Sequence, residues 1–286
     1  MGLDADLARE EVLALIRTAL DEDLRYGPDV TTVATVPEDA VVKASVVSRQ
    51  PGTVAGIDVG LLVLDEVIGA GNYEVAERVA DGTRVTPGQT VLGVVAPTRG
   101  LLTAERTMLN LMCHLSGIAT ATAAWVDAVS GTDCRIRDSR KTLPGLRALQ
   151  KYAVRVGGGV NHRMGLGDAA LIKDNHVVAA GSVVEALRAV RELAPEIECE
   201  VEVDSLEQLD AVLAEDVQLV LLDNFPLWQT QAAVQRRNTN SPGTKLESSG
   251  GLTLDVAADY ARTGVDYLAV GALTHSVTVL DLGLDM

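Results

Sequence analysis

The chain reads as an α/β protein whose larger part is an incomplete or modified barrel of parallel βα units. Three observations predict this. Between Cys134 and Val270, six short apolar runs alternate with stretches of helical periodicity, the rhythm of strands joined by crossover helices. Polar residues cluster directly after those runs: Asp138, Lys173, Glu202, Asp223, Ser248 and Gly271. In a barrel all such strand ends open onto one face, where sites are built. A doubly wound sheet would also place ligands there, but no GxGxxG follows an early strand, and Gly157-Gly158-Gly159 is not that motif.

Taken in order, the first helix spans Asp6 to Leu20, with Leu7, Val12, Leu13, Ile16 and Leu20 at helical spacing. Asp21 to Pro37 reads as a loop, punctuated by Gly27-Pro28. Val41–Val47 is a strand, Gly52–Ile57 a turn with a short extended piece, and Val59–Ile68 a buried helix. Tyr73–Val79 and Val91–Val95 are further strands, separated by Asp81-Gly82 and Pro87-Gly88. DGTRVTPGQTVLGV resembles a lipoyl or biotinyl carrier but lacks the carrier lysine, so it is read as a turn-rich β unit without a cofactor. Arg99–Val129 is helical, broken near Ser116-Gly117. The predicted strands of the βα series are Cys134–Arg137, Ala169–Ile172, Ile197–Val203, Leu219–Leu222, Thr244–Glu247 and Asp266–Val270. The helices of the series are Leu146–Val154, Val183–Leu193, Leu206–Leu213, Leu227–Gln235 and Leu254–Ala261.

Composition narrows the function. The 286 residues suffice for a large core, and with aromatics at 3% and Phe225 the sole Phe, Ala, Val and Leu must fill it. The formal net charge of -16 repels a polyanion, which disfavours nucleic-acid binding. Against that background, Gly131 to His176 carries nine basic residues and four acidic ones. A cationic island in an acidic protein points to a focused pocket for a small anion. Cys113, Cys134 and Cys199 form neither a disulfide framework nor a soft-metal cluster, and four histidines without HxH or HExxH spacing argue against a preformed zinc site. An acidic N-terminus without an apolar core and the lack of a long apolar run point to a cytoplasmic protein that uses no membrane.

The charged residues at the strand ends carry the chemistry. Arg140, Lys141, His162, Arg163 and Lys173 follow successive strands or turns. Arginine meets a carboxylate with two coplanar donors, while lysine supplies a compact charge. Glu198, Glu200 and Glu202 share one strand phase, and Asp223 ends another strand. Glu202 and Asp223 suit Mg²⁺, a ribose hydroxyl, or an internal pair with Lys173 or Lys141. Ser248-Ser249-Gly250-Gly251 and Ala269-Val270-Gly271-Ala272 sit in the last two strand-to-helix loops, the usual place of a phosphate cradle. His275 lies close by and either binds phosphate or caps local backbone.

With these residues in view, the whole chain resembles the quinolinate phosphoribosyltransferase family, also called carboxylating nicotinate-nucleotide pyrophosphorylases. The matching phrases are PDVTT (28–32), LLTAERTMLNLMCHLSGIAT (101–120), RDSRKTLPGLRALQKYAVRVGGGVNHRMGL (137–166), LIKDNH (171–176), EVEVDSLEQ (200–208), LLDNF (221–225) and ESSGG (247–251). The resemblance implies an N-terminal α/β sandwich over residues 1–115, completed by a tail at 276–286, and an open-faced, incomplete α/β barrel over 116–275. It implies transfer of the ribosyl phosphate of phosphoribosyl pyrophosphate to quinolinate, with loss of carbon dioxide, in NAD biosynthesis. Mg²⁺ accompanies the pyrophosphate and no redox cofactor is needed. The resemblance assigns Arg106, Arg140, His162, Arg163 and Lys173 to quinolinate, Arg106 being donated across a homodimer. It assigns Lys141, Glu202, Asp223, Ser249, Gly250, Gly271 and His275 to phosphoribosyl pyrophosphate, and Glu202 and Asp223 to the metal. Catalysis falls to Lys141, Lys173, Glu202 and Asp223, Lys173 acting by charge. Some members of the family assemble further, to hexamers. Three other readings stay open on the residues alone: a nicotinate-type phosphoribosyltransferase of the same fold, a Schiff-base aldolase using Lys173, and a small-anion binding protein.

Overall fold

The computed structural model describes Asp4 and residues 7–286. The chain forms two compact units, one of residues 1–123, 143–158 and 274–286, the other of 124–142 and 159–273.

The first unit opens with α1 (Arg9–Leu24), whose buried stripe is Val12, Leu13 and Ile16. The expected start at Asp6 lies outside the described residues. The expected loop at Asp21–Pro37 is corrected: α1 runs on to Leu24, and α2 (Val30–Thr35) follows. Asp29 nucleates α2 by accepting from the Thr32 amide at 3.0 Å, the job of an N-cap side chain. Then come β1 (Val41–Ser48), β2 (Gly52–Thr53), α3 (Ile57–Ile68), β3 (Glu74–Arg78), β4 (Arg84–Val85) and β5 (Thr90–Pro97). The Asp81 carboxylate accepts from the Gly56 and Ile57 amides at the start of α3, at 2.7 and 3.1 Å.

The helix α4 (Thr98–Ala128) runs for 31 residues without the expected break at Ser116-Gly117. Packing explains the difference. A side chain on Gly117 would meet the Thr278 carbonyl at 2.4 Å, and the Ser116 hydroxyl bonds both the amide and the carbonyl of Ala55. Both residues allow close approach within the helix instead of ending it. No helix among the described residues is long and apolar enough to cross a membrane.

The remaining elements are β6 (Arg135–Arg137), α5 (Arg147–Val156), β7 (Ala170–Ile172), α6 (Asp174–Ala180), α7 (Val183–Leu193), β8 (Cys199–Val203), α8 (Leu206–Leu213), β9 (Leu219–Asp223), α9 (Leu227–Asn240), β10 (Lys245–Ser249), a 3₁₀ turn at Leu254–Val256, α10 (Ala257–Arg262), β11 (Tyr267–Ala269), α11 (Ala272–His275) and β12 (Leu282–Asp285). The short α6 is absent from the sequence reading. Ser182 and Ser205 cap α7 and α8 through the amides of Glu185 and Gln208.

In the first unit, the antiparallel sheet has the order β12-β1-β5-β3, so the C-terminal strand closes one edge. In the second unit, six parallel strands follow the order β6-β11-β10-β9-β8-β7. Strands first and second in chain order thus end up at opposite edges, and among the described residues no ladder joins β6 to β7. This is a barrel left open at one seam. The free edge of β6 is partly taken by Val160, whose amide donates to the Ile136 carbonyl at 2.8 Å and whose carbonyl accepts from Asp138 at 3.2 Å.

Candidate active site

Alternate residues of a strand point to opposite faces. In the second unit one set is apolar: Ile136, Val201, Val220, Leu222, Leu246 and Leu268 are each at most 1% exposed. The other set faces the barrel interior and is largely charged. It includes Arg137, Glu200, Glu202, Asp223 and Glu247, with Leu171, Leu221, Ser249 and Ala269 between them.

Glu202, Asp223, Glu247 and the uncharged members of this set, with the loops that follow the strands, line a cavity of about 590 Å³ at the C-terminal ends of the strands, while Arg137 and Glu200 line a second, adjoining one. Arg140 and Lys141 come from the loop after β6, and His162 and Arg163 from the segment beyond the glycine run. Lys173 follows β7, Glu202 sits near the end of β8, and Asp223 ends β9. Ser249 and Gly250 follow on β10 and its loop, and Gly271 comes after β11. Residues from six strand ends therefore converge.

The electrostatics are those of an anion site. The Nε atoms of Arg140 and Arg163 are buried and have no hydrogen-bond partner. Arg163 Nη1 donates to the Ala169 carbonyl at 2.8 Å, which fixes the guanidinium. Burial, and then the neighbouring Arg140, pull the Arg163 pKa below its ordinary value, as desolvation and like charge must for a cation. Lys173 Nζ lies 3.4 Å from Glu202 Oε2. Its backbone amide donates to His176 Nδ1 at 3.0 Å, tying the start of α6. Glu202 is raised by burial, an effect that Lys173 opposes and nearby Asp223 adds to.

Deeper in the barrel lies a network of buried charges. Glu200 Oε2 is 2.5 Å from His162 Nε2. Arg137 Nη1 is 2.8 Å from Glu247 Oε2 and 4.0 Å from Glu200 Oε1. The Arg137 guanidinium also stacks 4.8 Å from the centre of the Tyr267 ring. Burial, with each acid near the other or near further carboxylates, pushes Glu200 and Glu247 up to about 7. The donor atoms of His162, Glu200 and Glu247 fall within 4.8 Å of one another, close enough to hold a divalent cation. Arg137, however, already supplies a positive charge there at hydrogen-bond distance.

Of the expected strand-end residues of the second unit, Asp138, Arg140, Lys141, His162, Arg163, Lys173, Glu202, Asp223, Ser249, Gly250 and Gly271 line one cavity, and Ser248 does not. Arg106, on α4, and His275, on α11, belong to the first unit. The sequence reading missed Glu247, Asn161 and Asn224. It named Asp138 and Arg137 without roles. Asp138, fully buried, accepts from Asn161 Nδ2 at 2.5 Å and from the His162 amide at 2.8 Å. Period-two counting along KLESS would have set Lys245, Glu247 and Ser249 on one face and found Glu247. The same counting turns Ser248 outward, and there its hydroxyl is buried without a partner.

Gly250 is demanded by its surroundings. Its φ is +93° and an added Cβ would lie 2.2 Å from Asn224 Oδ1. Asn224 itself holds a left-handed φ of 54°, with its amide bonded to the Ser249 carbonyl at 2.9 Å.

An open parallel barrel with a cationic cavity at its strand ends, flanked by carboxylates and a glycine loop, defines an enzyme-type site for a small polyanion. The comparisons with known proteins carry this further. Residues 29–116 match the model of the quinolinate phosphoribosyl transferase N-terminal domain, and residues 118–285 that of its C-terminal domain. The chain belongs to the quinolinate phosphoribosyltransferase family. It is 72% identical over 271 residues to the carboxylating nicotinate-nucleotide pyrophosphorylase of Mycobacterium leprae, covering 95% of each chain. Among solved structures it is similar to NadC from Streptococcus pyogenes, with TM-score 0.92, 36% identity and coverage of 99% of this chain and 98% of that one. The nicotinate-nucleotide pyrophosphorylase of Francisella tularensis aligns with TM-score 0.91 and 35% identity over 99% of each chain.

Proposed function

We propose that the chain converts quinolinate and phosphoribosyl pyrophosphate to nicotinate mononucleotide, pyrophosphate and carbon dioxide, as a cytoplasmic enzyme of NAD biosynthesis. One observation carries the reading: Arg140, Lys141, Arg163 and Lys173 share a cavity with Glu202 and Asp223. Two guanidiniums held near each other at a cost in proton affinity are stabilised by a dianion. The adjacent carboxylates of quinolinate supply that charge to Arg140, Arg163, His162 and Lys173. Lys141, Ser249, Gly250 and Gly271 suit the phosphates, with charge and backbone donors combined. His275 is a further phosphate ligand in this reading.

The pyridine nitrogen attacks the anomeric carbon of the ribose while the bond to pyrophosphate breaks. Positive charge builds on the ribosyl carbon, and Glu202 and Asp223 hold the ribose hydroxyls beside it. The ring nitrogen ends as a cation. The bond to the adjacent carboxylate then breaks, its electrons stay on the ring carbon, carbon dioxide leaves, and the carbon takes up a proton. The cationic nitrogen stabilises the carbanion, and the ammonium of Lys173 acts by charge alone.

Mg²⁺ fits Glu202 and Asp223. They form an all-oxygen pair at the cavity wall, where burial and then the charge of Asp223 raise Glu202, and Mg²⁺ binds through one or two carboxylates plus substrate phosphates. When bound it neutralises the departing pyrophosphate.

The test is an assay with quinolinate, phosphoribosyl pyrophosphate and Mg²⁺ that follows all three products. Equal amounts of nicotinate mononucleotide, pyrophosphate and labelled carbon dioxide are expected. Use of nicotinate without carbon dioxide release would instead select the nicotinate-type reaction.

In the same proposal two copies form a homodimer in which Arg106 completes the partner's pocket. Mixed dimers of Arg106→Ala and Arg140→Ala chains should then regain activity that neither variant has alone. No recovery in verified mixed dimers rules out sharing.

A further inference from the structure

We infer that Glu200 is a positioning residue for the quinolinate pocket, holding the imidazole of His162 in place from deeper in the barrel. The inference rests on the reading of His162 as a pocket residue. It concerns a side chain to which neither the substrates nor the metal is assigned.

The geometry leaves His162 little freedom. Its backbone amide donates to Asp138 at 2.8 Å, and its ring Nε2 meets Glu200 Oε2 at 2.5 Å. Both acids are buried, Asp138 at 0% and Glu200 at 3% exposure. One carboxylate thus fixes where the residue sits and another fixes how its ring is turned. Glu200 is itself held. Its second oxygen faces Arg137 at 4.0 Å, and Arg137 is anchored by Glu247 at 2.8 Å and by the Tyr267 ring. The chain of contacts from Tyr267 through Arg137 and Glu200 to His162 crosses the barrel interior among strands of fixed register. A ring locked by a buried, second-rank hydrogen bond binds without first losing rotational freedom.

Glu202, two residues on, lines the cavity directly, and the strand phase puts Glu200 on the same interior side but farther from the mouth. The two acids therefore divide the work. Glu202 touches the substrate zone, and Glu200 reaches it by its hydrogen bond to His162 and by a longer-range attraction to Arg163 that Glu200→Asp leaves in place.

A double-mutant cycle decides this. Glu200→Leu removes the hydrogen bond. Glu200→Asp keeps the charge but shortens the side chain by one methylene, so it tests the geometry in case the leucine variant does not fold. Both should raise KM for quinolinate by roughly tenfold or more, the loss of one charge-assisted bond, with KM for phosphoribosyl pyrophosphate unchanged. Glu200→Gln keeps an acceptor and should recover most of the loss. In a His162→Phe background, Glu200→Asp should add nothing, because its effect passes through the missing ring. Additive effects, or an equal rise in both KM values, would overturn the inference. If His162→Phe alone leaves quinolinate binding by calorimetry unchanged, the pocket assignment of His162 falls and Glu200 with it.

Discussion

The two faces of the six-stranded sheet are made of the same strands and differ in almost everything else. On one face, Ile136, Val201, Val220, Leu222, Leu246 and Leu268 are sealed from solvent. On the other, Arg137, Glu200, Glu202, Asp223 and Glu247 surround cavities. The alternation of a strand sorts neighbours in sequence into different environments. Stability is concentrated on the helix-covered side. The interior side is freed to hold charges that would be costly in an ordinary core, because they are paired or open to a ligand. A single-residue slip of register would exchange the two sets, so the pattern also specifies the fold.

The comparison breaks first at the apolar face. Val220→Asp buries an unpaired carboxylate in the middle of β9 and should cost more than about 4 kcal/mol, enough to prevent folding. A soluble variant with an unchanged melting temperature would show that this face is not the core. Next comes the charged face. Arg163→Lys loses a planar two-point contact and should weaken quinolinate use by about 2–5 kcal/mol in kcat/KM, with the melting temperature nearly unchanged. Normal quinolinate kinetics would remove Arg163 from the pocket.

The smallest effect sharpens the contrast by pH. Glu200 and Glu247 bind protons more tightly folded than unfolded, rising from 4.5 to about 7. Their contribution is full below the unfolded value and is lost as pH climbs through the folded one. Asp168, which its backbone hydrogen bonds help to lower, has completed its own change in a lower range. Stability from denaturant titrations should therefore decline between about pH 5 and 8, and Glu247→Gln should flatten that decline. An unaltered slope would show that Glu247 is not one of the groups responsible.

Much of this was legible in the sequence, and the failures have physical causes. The six strands and the cationic segment from Arg135 to Lys173 were visible because strand periodicity and charge are local properties. The continuity of α4 was not. Ser116 and Gly117 look like helix breakers, and their real task depends on Ala55 and Thr278, far away in the chain. The missed α2 hid behind Gly27-Pro28, although Asp29 was a usable cap signal. The buried network escaped for a related reason. Arg137, Glu200 and Glu247 come from three strands whose adjacency is set by the order of the sheet, and one strand's pattern does not disclose what faces it across a barrel.

The unclosed seam between β6 and β7 has a consequence for how this protein fails. A bare strand edge invites pairing with another chain. Here Val160 occupies part of the β6 edge, and the two residues that follow, Asn161 and His162, are bonded to Asp138. The guard against aggregation and the scaffold of the pocket are one short peptide. Damage that peels it away should therefore yield molecules both inert and adhesive, never sticky ones that still turn over.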